Sequence, residues 1–115
     1  MKDKKTINHV NSERLDYLLN QLKSEGKDPF LQYAVSMEYM NHDREKALQV
    51  LEETREDFPE YLPLYYQLAT LLEERDEIDK CKEVLKEGIK LANNQSDAKA
   101  LGELQSFLTN VEFEY

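Results

Sequence analysis

The chain has 115 residues, 40% hydrophobic and 34% charged, with three glycines, three prolines and one cysteine. That is the length of one domain, too apolar for a disordered chain and too poor in turn residues for a β-sandwich, so an all-α protein is expected. The formal net charge of −9 repels a phosphate backbone, and Lys and Arg are scattered among carboxylates, so nucleic acid is not an expected partner.

No apolar run approaches the roughly 18 residues of a membrane span. The start, Met1-Lys2-Asp3-Lys4-Lys5, leads into polar sequence, so neither a membrane association nor a signal segment is expected, and the protein is expected to be cytoplasmic. A single cysteine, Cys81, excludes an internal disulfide framework.

Leu15, Leu18, Leu19 and Leu22 follow the i, i+3, i+4, i+7 pattern of a helical stripe, with Asn11 and Ser12 as caps and Gly26 as a stop. A first helix is expected over residues 12–25. Pro29 suits the first turn of the next helix, where its missing N–H has no intrahelical partner, and Asp28 before it can cap. Phe30, Leu31, Ala34, Val35 and Met37 give that helix a broad apolar face, ending at Asn41-His42-Asp43.

A third helix starts near Asp43, carries Ala47, Leu48, Val50 and Leu51, and stops at Pro59. Pro63 restarts the pattern for a fourth, with Leu64, Tyr65, Leu68, Ala69, Leu71 and Leu72 apolar, running out in Glu73-Glu74-Arg75-Asp76. The fifth holds Ile78, Cys81, Val84, Leu85, Gly88 and Ile89 and is expected to break at Asn93-Asn94. A sixth, over residues 96–111, presents Leu101, Leu104, Leu108 and Val111. The tail Val111-Glu112-Phe113-Glu114-Tyr115 then alternates apolar and acidic residues, and reads as a frayed end or as a strip able to fill a groove.

The pattern repeats at 34 residues. Pro29 pairs with Pro63, Ala34 with Leu68, Val35 with Ala69, Ala47 with Cys81, Val50 with Val84 and Leu51 with Leu85. A 34-residue helical hairpin ending in proline resembles the tetratricopeptide repeat, whose pattern is W-x2-L-G-x2-Y, A-x3-F and P. In residues 28–61 those places hold Leu31, Ala34, Val35, Glu38, Ala47, Leu51 and Pro59; in 62–95 they hold Tyr65, Leu68, Ala69, Leu72, Cys81, Leu85 and Asn93. Ala34, Ala47, Ala69, Cys81 and Gly88 are small where hairpin helices approach closely. Glu38 replaces an aromatic and is expected to reach solvent or to mark an irregular first unit. The resemblance implies an α-solenoid of two hairpins between capping helices, together one domain over 1–115. The leucines of the first helix are expected to pack on Phe30, Tyr33 and Met37, and the last helix to cover Leu64 and Leu68.

Chemistry is sparse. His42-Asp43 lacks further metal ligands, since the other histidine is His9, and Asp43 reads as a helix cap. Cys81 has alanine as its repeat mate and reads as a close-packed core residue rather than a nucleophile. With no phosphate-binding glycine loop, no Cys or His cluster and no serine elbow, no catalytic residue, cofactor or metal is expected, and the chain reads as a non-enzyme.

In tetratricopeptide-like proteins the first helix of each hairpin lines a concave groove that holds a peptide or a partner helix. Carried over by position, that row is Gln32, Ser36, Tyr39 and Met40, then Tyr66, Thr70, Glu73 and Glu74. It lacks the Lys and Asn of the carboxylate clamp, so an acidic C-terminal peptide is not the expected ligand; a basic or apolar one is. The resemblance therefore implies an adaptor or scaffold. The alternative is a structural protein that self-associates through its C-terminal tail or helix, with the chain a monomer or weak homodimer.

Overall fold

The structure, a computed structural model, describes the backbone from Lys2 to Tyr115 and the side chains from Glu13 onwards. The side chains of His9, Asn11 and Ser12 lie outside the described ones. There are six helices, α1 (Lys2–Glu25), α2 (Pro29–Met40), α3 (Arg44–Asp57), α4 (Pro63–Glu74), α5 (Ile78–Asn94) and α6 (Ala98–Glu114), and no strand among the described residues. The chain divides into two compact units, Met1–Asp57 and Phe58–Tyr115.

In the first unit α1 packs on α2 and α2 on α3. α1 begins well before the expected residue 12. It ends at Gly26, whose φ of +85° is a left-handed conformation that glycine adopts without a Cβ penalty. The Asp28 carboxylate accepts the Leu31 N–H at 2.9 Å, and Pro29 occupies the first turn of α2, as their sequence order implies. Asp43 caps α3 in the same way, accepting from Lys46 N–H at 3.2 Å. Val35, Ala47, Leu51 and Leu18 are buried at the centre of the unit.

Two expectations fail in this unit. Phe30 is 66% exposed, because neither α1 nor α3 covers the outer side of the first turn of α2. Glu38 is not a solvated irregularity: its Oε2 accepts from Arg14 Nε of α1 at 2.8 Å, so the carboxylate at the aromatic place ties α2 to α1.

In the second unit α5 packs against both α4 and α6. Leu64, Leu68, Ala69, Leu72, Cys81, Val84 and Leu85 have no exposed surface, and Leu104 and Val111 of α6, which packs on α5, are buried too. The Tyr65 hydroxyl donates to the Pro59 carbonyl. Gly88 permits a close helix approach: a Cβ there would stand 2.9 Å from Tyr65 Cβ and 3.2 Å from Leu104 Cδ1. Asp76 (φ 63°) and Ser96 (φ 57°) take left-handed conformations just beyond α4 and α5.

The break expected at Asn93-Asn94 falls later, because asparagine costs a helix only a few tenths of a kcal/mol more than its neighbours; α5 includes both and turns at Ser96. Residues 111–114 are not a tail after the last helix. α6 runs through Glu114, held by the burial of Val111 against the unit's core.

Candidate functional site

The predicted contact row divides between the units, and each part is built from one helix face. On α2, Gln32, Ser36, Tyr39 and Met40 stand at i, i+4, i+7 and i+8. The first two offer no surface: Gln32 is 7% exposed and Ser36 fully buried, which corrects the expectation that they meet a partner. Gln32 Nε2 donates to Thr54 Oγ1 at 3.3 Å, Thr54 Oγ1 donates to the Val50 carbonyl at 2.7 Å, and Ser36 Oγ donates to the Tyr33 carbonyl at 2.6 Å. Gln32 Oε1 is buried without a hydrogen-bond partner. Tyr39 and Met40 are half-buried, with Lys46 Nζ 5.7 Å from the centre of the Tyr39 ring, a cation-π distance.

On α4, Tyr66, Thr70 and Glu73 stand at i, i+4 and i+7, with Glu74 beside them. Tyr66 is 42% exposed and meets Phe107 of α6 edge-on, ring centres 5.1 Å apart at 65°. Thr70 and Glu73 are half-buried and Glu74 is exposed; Thr70 Oγ1 donates back to the Tyr66 carbonyl at 2.9 Å. At the other end of the face lies Tyr115, 57% exposed. Its phenol is raised above the usual value, by loss of hydration first and then by Glu73, Glu114, Asp76 and Cys81.

Tyr66 therefore meets Phe107 while Glu73 neighbours Tyr115. α4 and α6 run in the same direction, and the α4 row is a strip with an aromatic ring fixed at one end and carboxylates at the other. Tyr115 belongs to the tail strip singled out in the sequence, whereas Phe107 goes unnamed there: it lies beside the stripe of Leu101, Leu104, Leu108 and Val111 and is half-buried.

The strip holds no reactive group. Cys81 is fully buried, its Sγ 3.4 Å from the Ala69 carbonyl. Burial first, then Glu73, push its thiol up to about 11, with Lys82 opposing; a thiol so placed stays protonated at neutral pH. Among the described residues no group of three or more His, Cys, Asp or Glu could hold a metal, and no helix is long and apolar enough to cross a membrane.

Residues 39–103 match the family model of the tetratricopeptide repeat. A solution structure of a tetratricopeptide repeat domain protein from Salinibacter ruber is similar at 36% identity and a TM-score of 0.71, over 75% of this chain and 88% of that one. A crystal structure of a tetratricopeptide repeat domain protein from the same organism is similar at 36% identity and a TM-score of 0.71, over 74% of this chain and 97% of that one. A protein from Bordetella parapertussis shares the fold at 21% identity, with a TM-score of 0.74 over 87% of this chain and 88% of that one. No curated protein matches the chain.

Proposed function

The chain belongs to the tetratricopeptide repeat family, whose fold is in general a protein–protein interaction module, and from that premise we propose that it is a non-enzymatic cytoplasmic adaptor or scaffold. Its ligand is a basic, partly apolar peptide or partner helix. The contact positions are Tyr66, Thr70, Glu73 and Glu74 on α4, with Tyr39 and Met40 on α2 as a separate row in the other unit.

One observation carries this reading. Tyr66 keeps 42% of its surface open while its ring is held against Phe107, so an aromatic contact is available whose side-chain freedom is already spent. A ligand that meets it loses entropy mainly on its own side. Glu73 and Glu74 at the far end of the same helix favour Lys or Arg there and disfavour an acidic peptide.

The test is a titration of short peptides differing in charge against the wild-type chain and the variant Tyr66→Ala/Glu73→Lys/Glu74→Lys. Wild type binds peptides that combine Lys or Arg with an apolar residue, and affinity falls with salt because exposed pairs are screened over about 8 to 10 Å. The triple variant keeps its helical circular dichroism and loses both the binding and its salt dependence. Equal binding by the folded variant would move the functional surface away from this row.

A further inference from the structure

The face of α6 turned away from α5 carries the most exposed large apolar side chain among the described residues, Phe113, at 91%. Phe113 ends a line of positions, Gly102, Ser106, Thr109 and Phe113, spaced four, three and four residues apart. That is the spacing, with small residues at three of the four places, of the contact seam of a coiled coil. All four positions are exposed, and a Cβ built on Gly102 would meet nothing within 4 Å. The seam thus has a projecting ring at one end and bare backbone at the other, about 16 Å along the helix.

We propose that this face binds a second copy of the chain, α6 against α6 in antiparallel, two-fold symmetric contact. The line is self-complementary in that arrangement. When Ser106 of each copy is set opposite Thr109 of the other, Phe113 of each falls opposite Gly102 of the other, the one seam position without a side chain. A two-fold interface needs a surface that matches itself in this way.

Charge selects the antiparallel direction. Beside the seam, Glu103 comes next to Asn110 of the other copy and Glu112 next to Gln105, so each carboxylate meets an amide. At both ends Lys99 comes alongside Glu114 of the other copy. A parallel pair would instead stack Phe113 on Phe113, leave the two glycines facing a gap, and set Lys99 beside Lys99. A seam of three turns buries less than the 1,200 Å² or so of a stable interface, and two chains of net charge −9 repel. The dimer is therefore weak, in rapid exchange, and strengthened by salt, the opposite of the salt response of the peptide site.

Sedimentation equilibrium over a range of protein and salt concentrations tests this, with circular dichroism to check folding. Wild type shows a reversible monomer–dimer equilibrium that shifts toward dimer as salt rises. Phe113→Gly and Gly102→Phe each give a monomer, the first for want of the ring and the second by setting ring against ring. The double exchange Gly102→Phe/Phe113→Gly restores the dimer, because each new ring again faces a glycine. Tyr66→Ala leaves the equilibrium unchanged, which separates this contact from the peptide strip. A wild type that stays monomeric at high concentration and salt overturns the proposal. So does a folded double exchange that stays monomeric while wild type dimerises, since the register is then wrong.

Discussion

Two glycines in helix interiors should respond in opposite ways to the same methyl group. In an unobstructed helix Gly→Ala stabilises by about 1 kcal/mol, because alanine has less backbone freedom to lose. Gly102 sits in α6 with nothing within 4 Å of a new Cβ, so Gly102→Ala should stabilise by about 0.5 to 1 kcal/mol. At Gly88 the new Cβ would stand 2.9 Å from Tyr65 Cβ and 3.2 Å from both Tyr65 Cγ and Leu104 Cδ1. Carbon atoms sit comfortably at about 3.5 to 4.0 Å, so α4 and α5 must part by roughly half an ångström or more.

Tyr65 cannot swing aside, since the atom in the way is its own Cβ and its hydroxyl is bonded to the Pro59 carbonyl. Overpacking of this kind costs about 1 to 3 kcal/mol, which exceeds the helix-propensity gain. Gly88→Ala should therefore destabilise by about 1 to 2 kcal/mol. Urea unfolding followed by far-ultraviolet circular dichroism reads both variants as midpoint shifts at unchanged slope. If Gly88→Ala raises the midpoint as Gly102→Ala does, the close approach of α4 and α5 is wrong.

Cys81→Ala should be mild, because alanine holds the matching place at Ala47, whereas Cys81→Leu should destabilise by about 1 to 3 kcal/mol by overpacking a site with no free surface; equal tolerance in urea unfolding would refute the packing. The Cys81 thiol, raised from 9.0 to about 11 in the fold, keeps its proton in the native chain where the unfolded chain loses it. Stability should accordingly fall as pH rises from about 9 to about 11, and the Cys81→Ala variant should lose that part of the slope. Gln32→Leu removes a buried acceptor that has no partner together with the 3.3 Å bond to Thr54, and the two effects should offset to within about 1 kcal/mol; a loss well above that in urea unfolding would contradict the missing partner. Arg14→Ala should cost under about 1 kcal/mol by the same measurement despite the 2.8 Å ion pair, because Arg14 is 66% exposed and its partner Glu38 is screened with it.

Helix number, most helix starts and the pairing of small core residues were legible because proline, aspartate caps and the 34-residue offset act locally. Ala47 and Cys81, or Leu51 and Leu85, are fully buried in both hairpins, as equal spacing demands. Periodicity assigns a residue to a face of its helix but does not say whether another helix covers that face. Phe30 and Leu64 hold the same repeat place, yet one is 66% exposed and the other fully buried. Ser36 and Thr70 differ similarly, and Gln32, placed in the contact row by its repeat position, is drawn inward by Thr54. Glu38 looked like a flaw in a pattern of apolar residues until its cation, 24 residues earlier in the chain, was placed beside it.

The segment between α3 and α4 has a mechanical consequence. Two bonds hold it within the second unit: the Tyr65 hydroxyl to the Pro59 carbonyl, and Gln95 Nε2 to the Glu60 carbonyl at 2.9 Å. Pro59 and Pro63 further restrict its backbone. Residues 58–62 are thus a fitted edge of the second unit, and a protease, which needs several residues of pliable chain, meets resistance there. Limited digestion should spare this segment, and a fragment cut to start at Phe58 should keep both bonds, its leading end already shaped.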